Sequence, residues 1–260
     1  MKIIGFAQLR NELSKGNLEN WFKCMQFCDH IYIYDQASDD GSVDFYNRHS
    51  NTKVIRSDTN RFGEEIVCKA DLLDLLLQDH PDVDWIFWMD GDTCLDNRLM
   101  VDNFSATHAM LQEADKNDVG ALSLGHYNLW RSRKHYRIDS SYHSLDSGVI
   151  AFWKNNGRLS FPRTSGLHSS QFPASLSGCK LVRTPFKLVH YGFSTEEQII
   201  NRYNMYKSLG QSGWKLDRLL CERDLQVRES ETEVLPTFID CATPDPTTLT
   251  TVRDLYGLSG

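Results

Sequence analysis

Apolar positions follow two spacings along the first ninety residues. Short, nearly continuous apolar runs read as buried strands: Lys2–Gln8 (KIIGFAQ), His30–Tyr34 (HIYIY), Lys53–Arg56 and Asp84–Met89 (DWIFWM). The segments between them change to helical spacing. Asn17–Phe27 carries Leu18, Trp21, Phe22 and Met25 behind an Asn17 N-cap, and Glu64–Gln78 sets Val67, Ala70, Leu73, Leu76 and Leu77 on one face. Strands and helices in alternation at this density predict a parallel sheet with helices on both faces. Ligands of such sheets lie at the carboxyl ends of the strands. The polar loops after Gln8, Tyr34, Arg56 and Met89 are therefore expected to share one crevice.

The second half is less regular. Val119–Leu124, Gly148–Trp153 and Lys180–Tyr191 have strand character, with an aromatic and basic stretch from Tyr127 to Tyr142. Ser194–Leu209 is a predicted helix, with Ser194 and Glu197 as a capping box and Gly210 at the C-terminal cap. Beyond about Arg228 the chain turns Thr- and Pro-rich (TPDPTTLTT), the pattern of an irregular extension over 229–260 laid on a single domain over 1–228.

Composition narrows the classes. The chain has 260 residues, 40% hydrophobic and 24% charged, enough to bury a core and unlike a disordered or collagenous chain. A formal net charge of −7 argues against nucleic acid or an anionic membrane as the main partner. No apolar run reaches the ~18 residues of a membrane span. Gln8, Arg10 and Asn11 interrupt the start before a signal-peptide core can form. Seven cysteines without a C-x-x-C pair read as free thiols in a reducing, cytoplasmic setting.

The chemistry concentrates in two loops. Asp90-Gly91-Asp92 follows a buried strand, and carboxylates at i and i+2 can reach one hard divalent cation, Mg²⁺ or Mn²⁺. The same residues also make an ordinary turn. Asp35–Ser42 (DQASDDGS) offers an acid at a strand end that can accept from a nucleotide base or ribose; its composition equally suits a self-capping Asx/Ser loop. Lys69 and Arg61 approach a diphosphate if the Ser57–Glu65 loop enters the crevice, and otherwise solvate a helix. The aromatic residues over 127–153 either stack on sugar faces or make core.

Three segments carry a family resemblance. GFAQLRNE, YDQASDDGS and WMDGD are similar to the family 2 glycosyltransferases of the GT-A fold, over roughly Lys2–Asp96. NLWRSRKHYRID and HYGFSTEEQIINRY resemble a bacterial and viral subgroup that builds surface polysaccharides and glycans. The resemblance implies a Rossmann-like, mostly parallel sheet flanked by helices. It divides the domain into a nucleotide-binding half (1–100) and an acceptor half (101–228). It implies a metal-dependent, inverting transfer of sugar from a UDP-, GDP- or dTDP-sugar to a glycan or other hydroxyl acceptor. Ala7, Gln8, Arg10, Asp35 and Gly91 then fall at the nucleotide, with Asp90, Asp92 and His190 at the metal. His190 also reads as a packed or capping residue. One departure is Asp35-Gln36, where the commoner family pattern has two adjacent acids.

Direct displacement at a sugar also needs a general base on the acceptor hydroxyl. Asp139 (in HYRID) and Asp146 (in SLDSG) are the candidates, with Asp139 preferred for its aromatic and basic neighbours. Trp130, Arg131, Arg133, Tyr136 and Arg137 are expected to line a sugar and phosphate site beside Asp139; a plain surface pair of Arg137 and Asp139 is the other reading. Rival classes fit less well. In a HAD-like phosphatase D-x-D-x-[TV] motif, Cys94 stands where the motif needs Thr or Val. A sugar nucleotidyltransferase would share the sheet, but no Gly-rich loop follows the first strand. A calcium- or carbohydrate-binding module is the third class, and the Asp35 loop misses the EF-hand pattern because Gly41 is at its seventh position.

Overall fold

The computed structural model describes residues 1–137, 144–163, 172–176, 178–212 and 232–234, with backbone alone for 144–147 and 232–234. In chain order the strands and helices are β1 (Ile3–Leu9), α1 (Leu18–Cys24), β2 (His30–Gln36), α2 (Ser42–Tyr46), β3 (Thr52–Ser57), α3 (Glu65–Asp79), β4 (Trp85–Trp88) and β5 (Thr93–Leu95). Then follow α4 (Asn97–Lys116), β6 (Ala121–Asn128), β7 (His135–Arg137), β8 (Ser144–Lys154), β9 (Leu181–His190), α5 (Glu196–Ser208) and β10 (Thr232–Val234).

Eight strands form one sheet in the order β3-β2-β1-β4-β8-β6-β9-β5. The β3-β2-β1-β4 half is parallel throughout. In the other half β8 runs antiparallel to β4 and β6, β9 parallels β6, and β5 opposes β9. The fold is thus α/β with a large, mostly parallel sheet flanked by helices, as the sequence pattern predicts.

The near-continuous apolar runs have a direct cause. In β1, Ile3, Ala7 and Leu9 enter one core while Ile4 and Phe6 enter another on the opposite face. β2 and β4 divide in the same way. Leu18, Trp21 and Phe22 of α1 and Met110 and Leu111 of α4 cover the first face; Ile66, Leu72, Leu73 and Leu76 of α3 cover the second. Both faces of a parallel sheet need apolar cover, so its strands lose the in–out alternation.

Two local details differ from the sequence expectation. α4, for which no element was predicted, begins at an Asp96 cap that accepts from the Arg98 backbone and breaks where Asp102, Asn103 and Phe104 take positive φ. The capping box of α5 is Thr195 with Gln198, one residue later than predicted: Gln198 N donates to Thr195 Oγ1 (3.2 Å), and Thr195 N donates to Gln198 Oε1 (3.1 Å). Ser194 is buried instead and donates to the same Gln198 oxygen. Of the expected extension, β10 is described, and it pairs antiparallel with β7.

Candidate functional site

A cavity of about 500 Å³ opens at the carboxyl ends of β1, β2 and β4. Gln8, Arg10, Gln36, Asp90, Gly91 and Asp92 come to it from that half of the sheet. His126 and Asn128 at the end of β6, His190 at the end of β9 and Arg202 of α5 close the other side.

Strand pairing explains how Asp92 and His190 meet across nearly a hundred residues. Thr93 of β5 lies opposite His190 of β9, and Tyr191 N donates to the Asp92 carbonyl at 2.7 Å. Asp92 Oδ2 is then 3.3 Å from His190 Nε2 and 2.5 Å from an Arg202 guanidinium nitrogen. On its other side the His190 ring is tied through Nδ1 to Asn128 Oδ1 at 3.0 Å. Gly192 makes this close approach possible. A Cβ there would stand 2.5 Å from both Asp92 Oδ2 and the Arg202 guanidinium, and 2.7 Å from His190 Nε2. Gly91 is constrained in the same way, because a Cβ would fall 2.7 Å from the Glu12 side chain and from Leu9.

The four carboxylates of the wall are not equivalent. Burial works against ionised Asp92, but His190 and Arg202 outweigh it and hold the carboxyl well below its usual range. Asp90 is open to the cavity while protein crowds it from behind. That desolvation, with the nearby Asp92 charge, raises its carboxyl to about 6 even though Lys69 pulls it down. Asp90 has no side-chain hydrogen bond among the described residues. Glu12 is buried, and desolvation raises it to about 7 against the Lys15 ion pair at 2.7 Å. Glu65 pairs with Lys69 at 2.6 Å. Burial, then the neighbouring His190, lowers His126 to about 3, so it stays neutral at physiological pH.

Of the residues singled out from the sequence, Gln8, Arg10, Asp90, Gly91, Asp92 and His190 share this cavity. Four others do not line it. Ala7 is packed in the α1 side of the core. The Asp35 carboxylate is fully buried and closes its own loop, accepting from Ser38 N (2.9 Å) and Ser38 Oγ (2.5 Å). The self-capping alternative is the one observed there, and the neighbouring Gln36 faces the cavity instead. Arg61 is spent on Glu64 and the Tyr34 hydroxyl. Lys69 is 1% exposed, held by Glu65 with its ammonium 4.5 Å above the Trp88 ring, so it acts on the site only through its field. The expected sugar and phosphate wall is also absent from the cavity lining: Arg137 stacks on Trp130 at 4.2 Å, Arg133 lies over Tyr191, and Arg131 pairs with Glu196. Asp139 lies outside the described residues. The backbone of Asp146 runs through the irregular stretch of β8 between the Ser144–His126 and Val149–Leu124 pairings.

Sequence reasoning gave no role to Glu12, Gln36, His126, Asn128, Gly192 and Arg202, although Glu12, Gln36, Asn128, Gly192 and Arg202 lie within the segments that carry the family resemblance. Gln36 carried a faint signal, since it follows the alternation of Tyr32 and Tyr34 onto the α3 face of the sheet. Both amide atoms of Gln8, Gln36 Nε2, Trp88 Nε1 and Glu12 Oε2 are buried in this region without a hydrogen-bond partner. Such groups are rare in a native interior unless a ligand or water meets them.

Among the described residues no three His, Cys, Asp or Glu side chains are grouped as a metal cage. None of their helices is long and apolar enough to cross a membrane. No family model matches the chain, and no curated protein does. Solved structures with a related layout include A197 from STIV (13% identity, TM-score 0.38, 73% of this chain and 85% of that one). HddC from Yersinia pseudotuberculosis matches at 12% identity and TM-score 0.36, over 77% and 97%. A glycosyltransferase involved in glycosylation of the major capsid of PBCV-1 matches at 8% and 0.30, over 60% and 61%. TM-scores this low carry no functional argument.

Proposed function

We propose that the chain is a metal-dependent glycosyltransferase that moves a sugar from a nucleotide-sugar donor to a hydroxyl acceptor with inversion at the anomeric carbon. The observation that carries this reading is the convergence of Asp90, Asp92 and His190 on one cavity at the strand carboxyl ends. Inversion rests on the family resemblance alone.

The residues fit a divalent cation. Asp90 offers a carboxylate open to the cavity, and Asp92 Oδ2 and His190 Nε2 lie 3.3 Å apart on the same wall, with Arg202 on that oxygen in the cation-free protein. Asp90 and Asp92 would hold Mg²⁺ or Mn²⁺ with His190 beside them. One or two carboxylates suffice when substrate phosphates and waters supply the remaining ligands. When bound, the cation supplies Lewis-acid neutralisation of a departing diphosphate.

This chain's own residues do the rest. Asn128 fixes the His190 ring through Nδ1. Gln8, Gln36 and Trp88 line the cavity where a nucleotide would lie, and each has a buried polar side-chain atom with no hydrogen-bond partner. Lys69, behind the wall, keeps Asp90 toward its ionised form. A carboxylate takes the proton of the acceptor hydroxyl as its oxygen attacks. Of the two candidates, Asp146 is on the strand that pairs with the cavity-lining His126, and Asp139 is the alternative.

The direct test is titration of the full chain with UDP-, GDP- and dTDP-sugars, with and without Mn²⁺. Ligand at about 100-fold over Kd adds about 2.7 kcal/mol to stability, readily seen as a thermal shift. Metal-dependent binding that Asp92→Asn abolishes in a folded protein supports the reading. The absence of any sugar-nucleotide binding by the parent, or undiminished binding by Asp92→Asn, refutes it.

A further inference from the structure

Arg202 is a charged cavity side chain to which the reading above gives no task. It stands in the middle of α5, with its guanidinium 4.8 Å above the Phe193 ring and 2.5 Å from Asp92 Oδ2. Its partner is 110 positions away, whereas the Glu12–Lys15 and Glu65–Lys69 pairs join neighbours within one segment. The Arg202 contact is therefore a product of the tertiary fold alone, and it falls on the oxygen that His190 Nε2 also faces at 3.3 Å.

A largely buried carboxylate left without a positive partner is strongly unfavourable. Asp92, with its side chain 15% exposed, needs such a partner whenever no cation is bound; His190 and Arg202 both face it, and Arg202 is the one whose charge does not depend on pH. The same contact blocks the oxygen. A guanidinium at 2.5 Å leaves no room for a second cation there, and two positive groups at such range repel strongly in a poorly solvated wall.

We infer that Arg202 is an exchangeable counter-ion of Asp92. It holds the carboxylate in the cation-free protein and yields Oδ2 when a divalent cation binds. It then turns its forked N–H donors to the ligand's diphosphate, a geometry that suits guanidinium. This rests on the metal–nucleotide reading of the same site. It makes Arg202 a positioning residue with two opposite effects: a competitor of the metal alone, and a helper of the diphosphate once the metal is present. No purely structural ion pair produces that reversal.

The test uses the full chain, with Mn²⁺ alone followed by the resonance of the free ion, then inorganic pyrophosphate by calorimetry at saturating Mn²⁺. Arg202→Met should bind Mn²⁺ on the order of ten-fold more tightly than the parent, and pyrophosphate on the order of ten-fold more weakly, within the usual span of site-to-site coupling. Arg202→Lys, which keeps the charge and loses the fork, should move both affinities in the same directions by less, and it carries the comparison if Arg202→Met does not fold. Unchanged or weaker Mn²⁺ binding in the variants, or unchanged pyrophosphate binding, overturns the inference while leaving the site reading intact. A folded parent that binds neither Mn²⁺ nor pyrophosphate overturns the site reading and this inference with it.

Discussion

Replacing Glu12 by Gln tests the electrostatics of the cavity floor. Glu12 is 5% exposed and packed over Gly91. Burial is the largest influence on its carboxyl and raises it from 4.5 to about 7; the Lys15 charge opposes the rise and that of Asp92 adds to it. The folded chain therefore holds this proton more tightly than the unfolded chain. The stability this provides is fully present below about pH 4.5 and is lost as pH rises through about 7. With 1.36 kcal/mol per pKa unit, a rise of roughly 2.5 units makes the loss on the order of 3 kcal/mol. Glu12→Gln is nearly isosteric with the protonated acid and does not titrate. At pH 5 it should unfold in urea close to the parent midpoint. At pH 8, in chelator, it should be more stable by about 3 kcal/mol, since the opposing pull of Lys15 is already contained in the rise to about 7. Parallel pH dependences for parent and variant between pH 5 and 8, or a less stable variant at pH 8, refute the assignment of a strained, buried Glu12.

Three further outcomes follow from particular contacts. Gly192→Ala places a methyl within 2.5 Å of Asp92 Oδ2 and the Arg202 guanidinium; it should cost about 1–3 kcal/mol in chemical denaturation and weaken Mn²⁺ binding measured directly. Asp35→Ala strips Ser38 N and Oγ of their acceptor, so stability should fall by about 1–3 kcal/mol; unchanged stability with lost nucleotide binding would return Asp35 to the ligand. Asp146→Asn should slow sugar transfer by ~10²-fold or more with donor affinity nearly unchanged, and if Asp139→Asn alone shows that loss, the base is Asp139.

Sequence alone determined the α/β class, the first four strands and the placing of Gln8 and the Asp90–Asp92 loop at one edge. These follow from local chemistry: a strand buried on both faces must be apolar almost without interruption, and a polar loop must end it. The helix at Asn97–Lys116 escaped notice because its apolar positions slip out of register at the break over Val101–Phe104. Asp35 and Gln36 were indistinguishable as strand-end polar residues until the β2 pleat and the Ser38 turn assigned one to the interior and the other to the cavity. Arg202, Asn128 and Gly192 carried no spacing signal, since nothing local in a helix, a strand end or a turn records what lies across the sheet. Only the pairing of β5 with β9 and of β9 with β6 brought Asp92, His190 and Asn128 together. The capped start of α5 then carried Arg202 over them. Paired carboxylates write themselves into a sequence because one loop holds both; a counter-ion 110 residues away is chosen by strand order, and strand order is a property of the folded sheet.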